Sequence, residues 1–271
     1  AALDAGVRHV VLGIGGSATS DGGRGILEAL GAVVCGGGAA DDVAGGAGGA
    51  GGGDPDGAFE IDLSGLDPRL AETELRIACD VTNPLLGERG AAATYGPQKG
   101  ASPSDVAGLD ARLARWADAL ETVTGAQARE TAGAGAAGGT AFALLCLADR
   151  FRTLELVPGV DLVVDEIGLG DLLVTADLVI TGEGRIDAQT AFGKTALGVA
   201  RLAEGAGIRC IAVGGGVEPE GVAALEAHGT TVVPVWERAV PVAEAMVAGA
   251  APLVACGRRL GERGLEWLTK S

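Results

Sequence analysis

The 271-residue chain carries 20 Lys and Arg against 36 Asp and Glu, a formal net charge of −16, with 48% hydrophobic and only 3% aromatic residues. That balance excludes nucleic acid and anionic membrane surfaces as partners, since both need a basic face, and the hydrophobic fraction argues against disorder. An anionic substrate would instead need local positive charge, backbone N–H groups or a metal ion. The core must come from Val, Leu, Ile and Ala. The five cysteines are odd in number, far apart and form no CxxC pair, so reduced thiols in a cytoplasmic protein are expected. No uninterrupted apolar run approaches the roughly 18 residues of a membrane span, and no signal peptide is visible.

The chain opens at Ala1, without a methionine, on a helix running into a strand over 7–14, and is expected to be a fragment. The strand ends in Gly13-Ile-Gly-Gly-Ser-Ala-Thr-Ser-Asp-Gly-Gly23, and a helix follows from Arg24 to Leu30, stopped by Gly31. Residues 36–57 are almost all Gly, Ala and Asp and read as a solvated loop. Strands are predicted over Phe59–Leu63 and Leu75–Cys79. Ser102-Pro-Ser-Asp105 starts a helix that reaches about Val123, with Pro in its first turn. A second glycine cluster, Gly133–Thr140, leads into an apolar helix ending near Ala148. Beyond Gly159 strands and helices alternate: strand 178–181, helix 190–204, strand 208–213, helix 219–227, strand 231–235, and a closing helix over 241–268 broken near Pro252. This alternation predicts a doubly wound parallel sheet, whose ligands sit at the carboxyl ends of the strands.

The turn from Gly13 to Gly23 satisfies the relaxed dinucleotide pattern through Gly13, Gly15 and Ala18, but its glycines delay the helix and no acid ends the next strand. A nicotinamide site is therefore disfavoured against an anion nest, in which the backbone N–H groups of Gly15 and Gly16 and the hydroxyls of Ser17, Thr19 and Ser20 surround a phosphate or carboxylate. A tight structural turn is the plain alternative. Ala188–Thr195 matches a loose P-loop, yet the polar segment Gly182–Asp187 separates it from its strand. Of 20 basic residues only Lys99, Lys194 and Lys270 are lysines. The first two sit in glycine turns, where a compact ammonium suits a phosphate in a transition state. Asp21, Asp80, Glu183 and Asp187 lie at or just after strand ends, with Arg185 between the last two. Phosphoryl transfer needs Mg²⁺ held by one or two carboxylates and gains from one that takes the hydroxyl proton. Asp187 is the candidate base, Lys194 its catalytic partner, and Asp80 and Glu183 the candidate metal ligands. Ion pairing around Arg185 is the structural alternative, and His9 and His228 read as structural.

Five stretches in order carry a resemblance: Gly13–Gly23, Ala78-Cys-Asp-Val-Thr-Asn-Pro-Leu85, Tyr95-Gly-Pro-Gln-Lys-Gly-Ala101, Gly133–Gly139 and Ile180-Thr-Gly-Glu-Gly-Arg-Ile-Asp-Ala-Gln-Thr190. Together the chain resembles the bacterial type I glycerate kinase family. The resemblance implies ATP- and Mg²⁺-dependent phosphorylation of D-glycerate, to 2-phosphoglycerate or 3-phosphoglycerate. It also implies two α/β lobes: a Rossmann-like lobe of residues 1–31 and 156–271, missing its N-terminal part, and an inserted lobe of 32–155. Phosphate or substrate contacts fall on Gly15, Gly16, Ser17, Thr19, Asp21, Lys99 and Arg185. The expected partners are D-glycerate and ATP, with a homodimer allowed for. A binding module without chemistry is the reading from another class.

Overall fold

The structure is a computed structural model that describes residues 1–37, 57–192 and 195–264. The chain divides into two compact units, Ala1–Gly159 and Val160–Ser271.

The first unit is built on a parallel three-stranded sheet of β1 (His9–Gly13), β4 (Glu74–Ala78) and β5 (Thr153–Val157), in that order across the sheet. The ladders align His9 with Glu74 and Glu74 with Thr153. Alternation along β4 turns Leu75 and Ile77 inward, which seats the sheet on its core. A separate antiparallel pair joins β2 (Val33–Cys35) to β3 (Glu60–Asp62). Helix α1 (Arg24–Ala29) leads into β2. The short α2 (Ala91–Tyr95), the long α3 (Pro103–Thr124) and α4 (Ala136–Cys146) supply the rest of the core. Helix α3 starts as its sequence dictates. The Ser102 hydroxyl accepts the Asp105 N–H at 3.3 Å and the Asp105 carboxylate accepts the Ser102 N–H at 2.8 Å, a reciprocal cap. Its inner stripe buries Leu113, Trp116, Ala117 and Leu120 in one cluster with Leu27, Ile77, Leu85 and Phe142. Few aromatics are needed, because small residues such as Ala91, Ala92 and Ala143 let the helices approach closely.

The second unit holds a parallel sheet of β6 (Leu178–Ile186), β7 (Arg209–Val217) and β8 (Thr230–Pro234), linked by α7 (Thr195–Ala206) and α8 (Pro219–Glu226). Helices α5 (Gly159–Glu166) and α6 (Leu169–Leu173) come before the sheet. Helices α9 (Val242–Val247) and α10 (Ala251–Arg263) follow it. Ala196, Leu197, Ala200 and Ala203 on α7 bury against Val179, Ile186, Cys210 and Ala212 of the strands. No helix among the described residues is long and apolar enough to cross a membrane.

The mixed α/β architecture with parallel sheets is as expected, and several boundaries differ. Residues 1–31 are expected alongside 156–271, whereas β1 is hydrogen-bonded to β4 and so shares the first unit's sheet. Strand β6 continues through Gly182–Ile186, where the sequence reading ends the strand at 181 and places a polar segment. Its ladder with β7 sets Glu183 opposite Gly214 and Arg185 opposite Gly216. A Cβ at Gly215 would lie 2.6 Å from the Gly184 carbonyl oxygen, so here the glycines permit close strand approach. Helix α7 starts at Thr195, because Ala188–Phe192 form a 3₁₀ turn. The closing helix is two helices, divided at Gly249 (φ +59°) with Pro252 in the first turn of α10. Strand β5 has no counterpart in the expected elements. Of the predicted loop over 36–57, residues 38–56 lie outside the described residues.

Candidate functional site

In the first unit, the chain leaves β1 at Gly13 and turns through to α1. Gly16, Gly22 and Gly23 have φ of +70°, +69° and +82°, values that side-chain-bearing residues rarely adopt. The Asp21 carboxylate accepts N–H groups from Gly23 and Gly25, both at 3.0 Å, and so caps α1. From α3, the Trp116 indole N–H donates to the Gly22 carbonyl at 2.9 Å and Arg112 donates to the Ser20 carbonyl at 3.3 Å. From the second glycine cluster, the Gly138 carbonyl accepts the Gly22 N–H at 3.0 Å. Ala137, Gly138 and Gly139 are all left-handed, and that reversal aims the Gly138 carbonyl at the turn.

Lys99 ends a short 3₁₀ turn, Pro97–Lys99, and its ammonium donates to the Ser17 hydroxyl at 3.0 Å and to the Thr19 carbonyl. Burial holds this ammonium below the ordinary lysine pKa, and the Asp21 carboxylate pulls the other way. Ser17, Thr19 and Lys99 are therefore brought together, while Asp21 is turned onto its own helix. A Cβ added at Gly13, Gly15 or Gly16 would meet nothing within 4 Å, so this edge of the turn is bare backbone. The same loop thus has a packed side, at Gly22 and Gly23, and an open side, at Gly13–Gly16. Asp80, two residues past β4, accepts the Gly159 N–H at 2.7 Å and caps the chain entering α5. Close by in sequence, the Tyr95 hydroxyl donates to Asn83 Oδ1 at 2.8 Å, and Asn83 Nδ2 donates to the Arg89 carbonyl at 2.7 Å.

In the second unit, the end of β6 gathers acids and one arginine. Glu183 lies within the strand, two residues before Arg185 and four before Asp187. Arg185 pairs with Glu218 at the start of α8 and reaches Asp187 Oδ2 at 3.6 Å; the Glu218 carboxylate holds its guanidinium pKa above the ordinary value. Asp187 Oδ1 accepts the Gln189 N–H at 2.9 Å. The Thr190 hydroxyl accepts the Asp187 N–H at 3.2 Å and donates to Glu183 Oε2 at 3.1 Å. Gly221 of α8 backs this corner: a Cβ there would lie 2.6 Å from the Asp187 nitrogen. The polar segment that separates a P-loop from its strand in the sequence is the strand itself, and a 3₁₀ turn succeeds it. Lys194 lies outside the described residues.

Among the described residues no group of three or more His, Cys, Asp or Glu could hold a metal ion. Asp80 belongs to the first unit and Glu183 to the second. The histidines are each paired with a glutamate distant in sequence, His9 with Glu74 and His228 with Glu204, both at 2.7 Å. Sequence reading missed Thr190 and Glu218. The second could be found only from the β6–β7 register, but Thr190 stands three residues after Asp187, where a hydroxyl can return to the acid's own backbone.

The glycerate kinase family model matches residues 1–263. The chain belongs to the glycerate kinase family. Relatives in this family include a glycerate kinase of Haemophilus influenzae, 46% identical over 79% of this chain and 54% of that protein. A glycerate kinase of Halalkalibacterium halodurans is 42% identical over 84% and 57%. The glycerate 2-kinase of Escherichia coli is 41% identical over 75% and 51%. The chain therefore spans about half the length of the curated relatives it matches. A crystal structure assigned as glycerate kinase 2 of Salmonella typhimurium LT2 superposes with a TM-score of 0.65 at 36% identity, covering 97% of this chain and 67% of that one.

Proposed function

We propose that this chain carries the phosphoryl-transfer residues of an ATP-dependent D-glycerate kinase. One observation carries the reading. In a chain of the glycerate kinase family, Asp187 follows directly on a parallel strand and is oriented by Gln189, Thr190 and Arg185. Carboxyl ends of parallel strands are where such folds meet their ligands.

In this reading Asp187 accepts the proton of the attacking glycerate hydroxyl. Its carboxylate is held in one orientation by the Gln189 N–H, with the Arg185 guanidinium beside it. Lys194, seven residues on, balances charge on the transferring phosphoryl group. The bare edge at Gly15 and Gly16, with Ser17, Thr19 and Lys99, receives an anionic group of glycerate or ATP. There the Lys99 ammonium is already part-buried and fixed by Ser17 and Thr19. Asp21 and Asp80 serve this arrangement by capping helices, whatever else they contact.

Magnesium needs one or two hard carboxylates together with phosphate oxygens rather than a protein cage, and Glu183 beside Asp187 fits that donor set. Bound there with ATP, it would neutralise charge developing on the transferred group. Glu183 is the residue of the second unit proposed to hold it, and Asp80 is the metal-ligand candidate of the first unit taken by itself.

The test is turnover of D-glycerate and Mg-ATP by the purified protein, followed by ADP release, with ³¹P NMR of the product to assign the 2- or 3-hydroxyl. ADP release and one phosphoglycerate are expected. Turnover of other hydroxy acids but not of D-glycerate would overturn the substrate. Nucleotide binding with no transfer to any hydroxy acid would favour a binding module.

A further inference from the structure

Thr190 is one of three buried polar residues among the described residues, and the one of the three with no exposed surface. A buried hydroxyl is stable only if its donor and acceptor capacity is used, and the way Thr190 uses it is specific. Its own N–H donates to the Asp187 carbonyl at 2.9 Å and its hydroxyl oxygen accepts the Asp187 N–H. An N–H can only donate, so the one hydroxyl proton is left for Glu183 Oε2. The backbone that aims Asp187 and the carboxylate of Glu183 are thus tied through a single side chain, across four positions of sequence.

We infer that Thr190 is a positioning residue that fixes Glu183 and Asp187 relative to one another, and that phosphoryl transfer depends on this bridge. The inference rests on the kinase reading. A helix cap alone would account for the bond from Asp187, because any small acceptor can close the 3₁₀ turn of Ala188–Phe192. It would not account for the second bond. The cap has no use for Glu183, and the donated proton suits an ionised carboxylate that must keep one orientation. The site also leaves little room for another solution. Gly221 presses on the Asp187 nitrogen from α8, and the Glu218 N–H donates to the Ile186 carbonyl at 2.8 Å, so Asp187 cannot drift without moving the strand end.

Three proteins test this: wild type, Thr190→Val, which keeps the shape and removes the hydroxyl, and Thr190→Ser, which keeps the hydroxyl and removes the methyl. The expected kcat of Thr190→Val is about 10- to 100-fold below wild type, the range for partners that orient functional ligands, with KM for D-glycerate and ATP changed less than about threefold. Thr190→Ser should retain most of kcat. Hydrogen exchange at the Asp187 amide should be at least about tenfold faster in Thr190→Val than in wild type and unchanged in Thr190→Ser. A wild-type kcat in Thr190→Val overturns the inference. So does an equal loss in both variants, which would assign the effect to methyl packing. If Thr190→Val does not fold, Thr190→Ala takes its place, read against Thr190→Ser, which lacks the same methyl: a kcat equal to that of Thr190→Ser overturns the inference. Should wild type phosphorylate no hydroxy acid, the kinase reading falls. The exchange measurement, which needs no turnover, then decides for the bridge: unchanged exchange in Thr190→Val overturns it, and accelerated exchange keeps it.

Discussion

Gly138 lies so close to Thr19 that a Cβ on Gly138 would come within 2.1 Å of the Thr19 carbonyl oxygen. In return the Gly138 carbonyl accepts the Gly22 N–H, and Gly139 packs on the Gly22 Cα. The two glycine clusters, more than 110 residues apart in sequence, form one interlocked object. Their glycines divide into those that the packing needs and those that leave backbone open.

That division can be measured. Gly138→Ala must strain a backbone at φ +66° and push back the Thr19 carbonyl, so it should destabilise the fold by at least about 2 kcal/mol. Gly15→Ala has neither burden and should change stability by less than about 0.5 kcal/mol, while raising KM for whichever substrate approaches that edge. Urea denaturation midpoints compare the two. Equal midpoints would show that the interlock does not hold the turn.

Acid sensitivity should trace to Asp67. Its carboxylate caps the 3₁₀ turn Pro68–Glu72, accepting the Arg69 N–H at 2.9 Å and pairing with the Arg69 guanidinium at 2.6 Å. The side-chain bond to Arg69 is the largest cause holding its pKa down at about 2, against an ordinary 3.8. A depressed acid stabilises the fold fully above its unfolded pKa, and the contribution is lost as pH falls through the folded value. Asp67→Asn should therefore be less stable than wild type at pH 7, with the gap narrowing between about pH 4 and 2. A gap independent of pH would remove the carboxylate from that role.

Elements that rely on local chemistry are legible in the sequence itself. The α3 cap is written in Ser102 and Asp105, the break near Pro252 in the proline, and the β7–α8–β8 alternation in its apolar periods. The glycine clusters can be singled out but not paired, since nothing local tells Gly138 that it faces Thr19. Glycine is also misleading at Gly182 and Gly184, where tolerance for close strands looks the same in sequence as tolerance for a turn. Strand β5 escapes sequence reading because its pairing to β4 is non-local and Glu155 interrupts its apolar run. At the site, residue types and order expose Asp187, Glu183 and Lys99. The pairings of Arg185 with Glu218 and of Lys99 with Ser17 are set by register and tertiary approach, whereas Thr190 meets Asp187 through a local turn.

Gly221 links α8 to the candidate base. Its Cα position leaves no room for a Cβ, which would sit 2.6 Å from the Asp187 nitrogen and 2.7 Å from the Ile186 carbonyl carbon, both backbone atoms that yield only if the strand end shifts. Gly221→Ala should cost about 1–3 kcal/mol by overpacking. It should also lower kcat about tenfold or more, because a small displacement of a positioned group is enough to do so. Loss of stability at full kcat, read from denaturation and steady-state kinetics together, would separate Asp187 from the chemistry.

Asp187→Asn is the most direct substitution. The amide oxygen of Asn can still accept the Gln189 N–H, and the backbone bonds of Asp187 with Thr190 do not involve the side chain, so the turn should persist. What is lost is the charge and the capacity to take a proton. If Asp187 accepts the hydroxyl proton, kcat should fall at least about 100-fold with the fold intact. Lys194→Ala should produce a fall of the same order, through lost charge stabilisation in the transition state. The two losses need not add when combined, since base and ammonium act on one transition state. A double variant little slower than either single one would show that they work as a unit. A wild-type rate in Asp187→Asn would leave the carboxylate as no more than the cap of the Ala188–Phe192 turn.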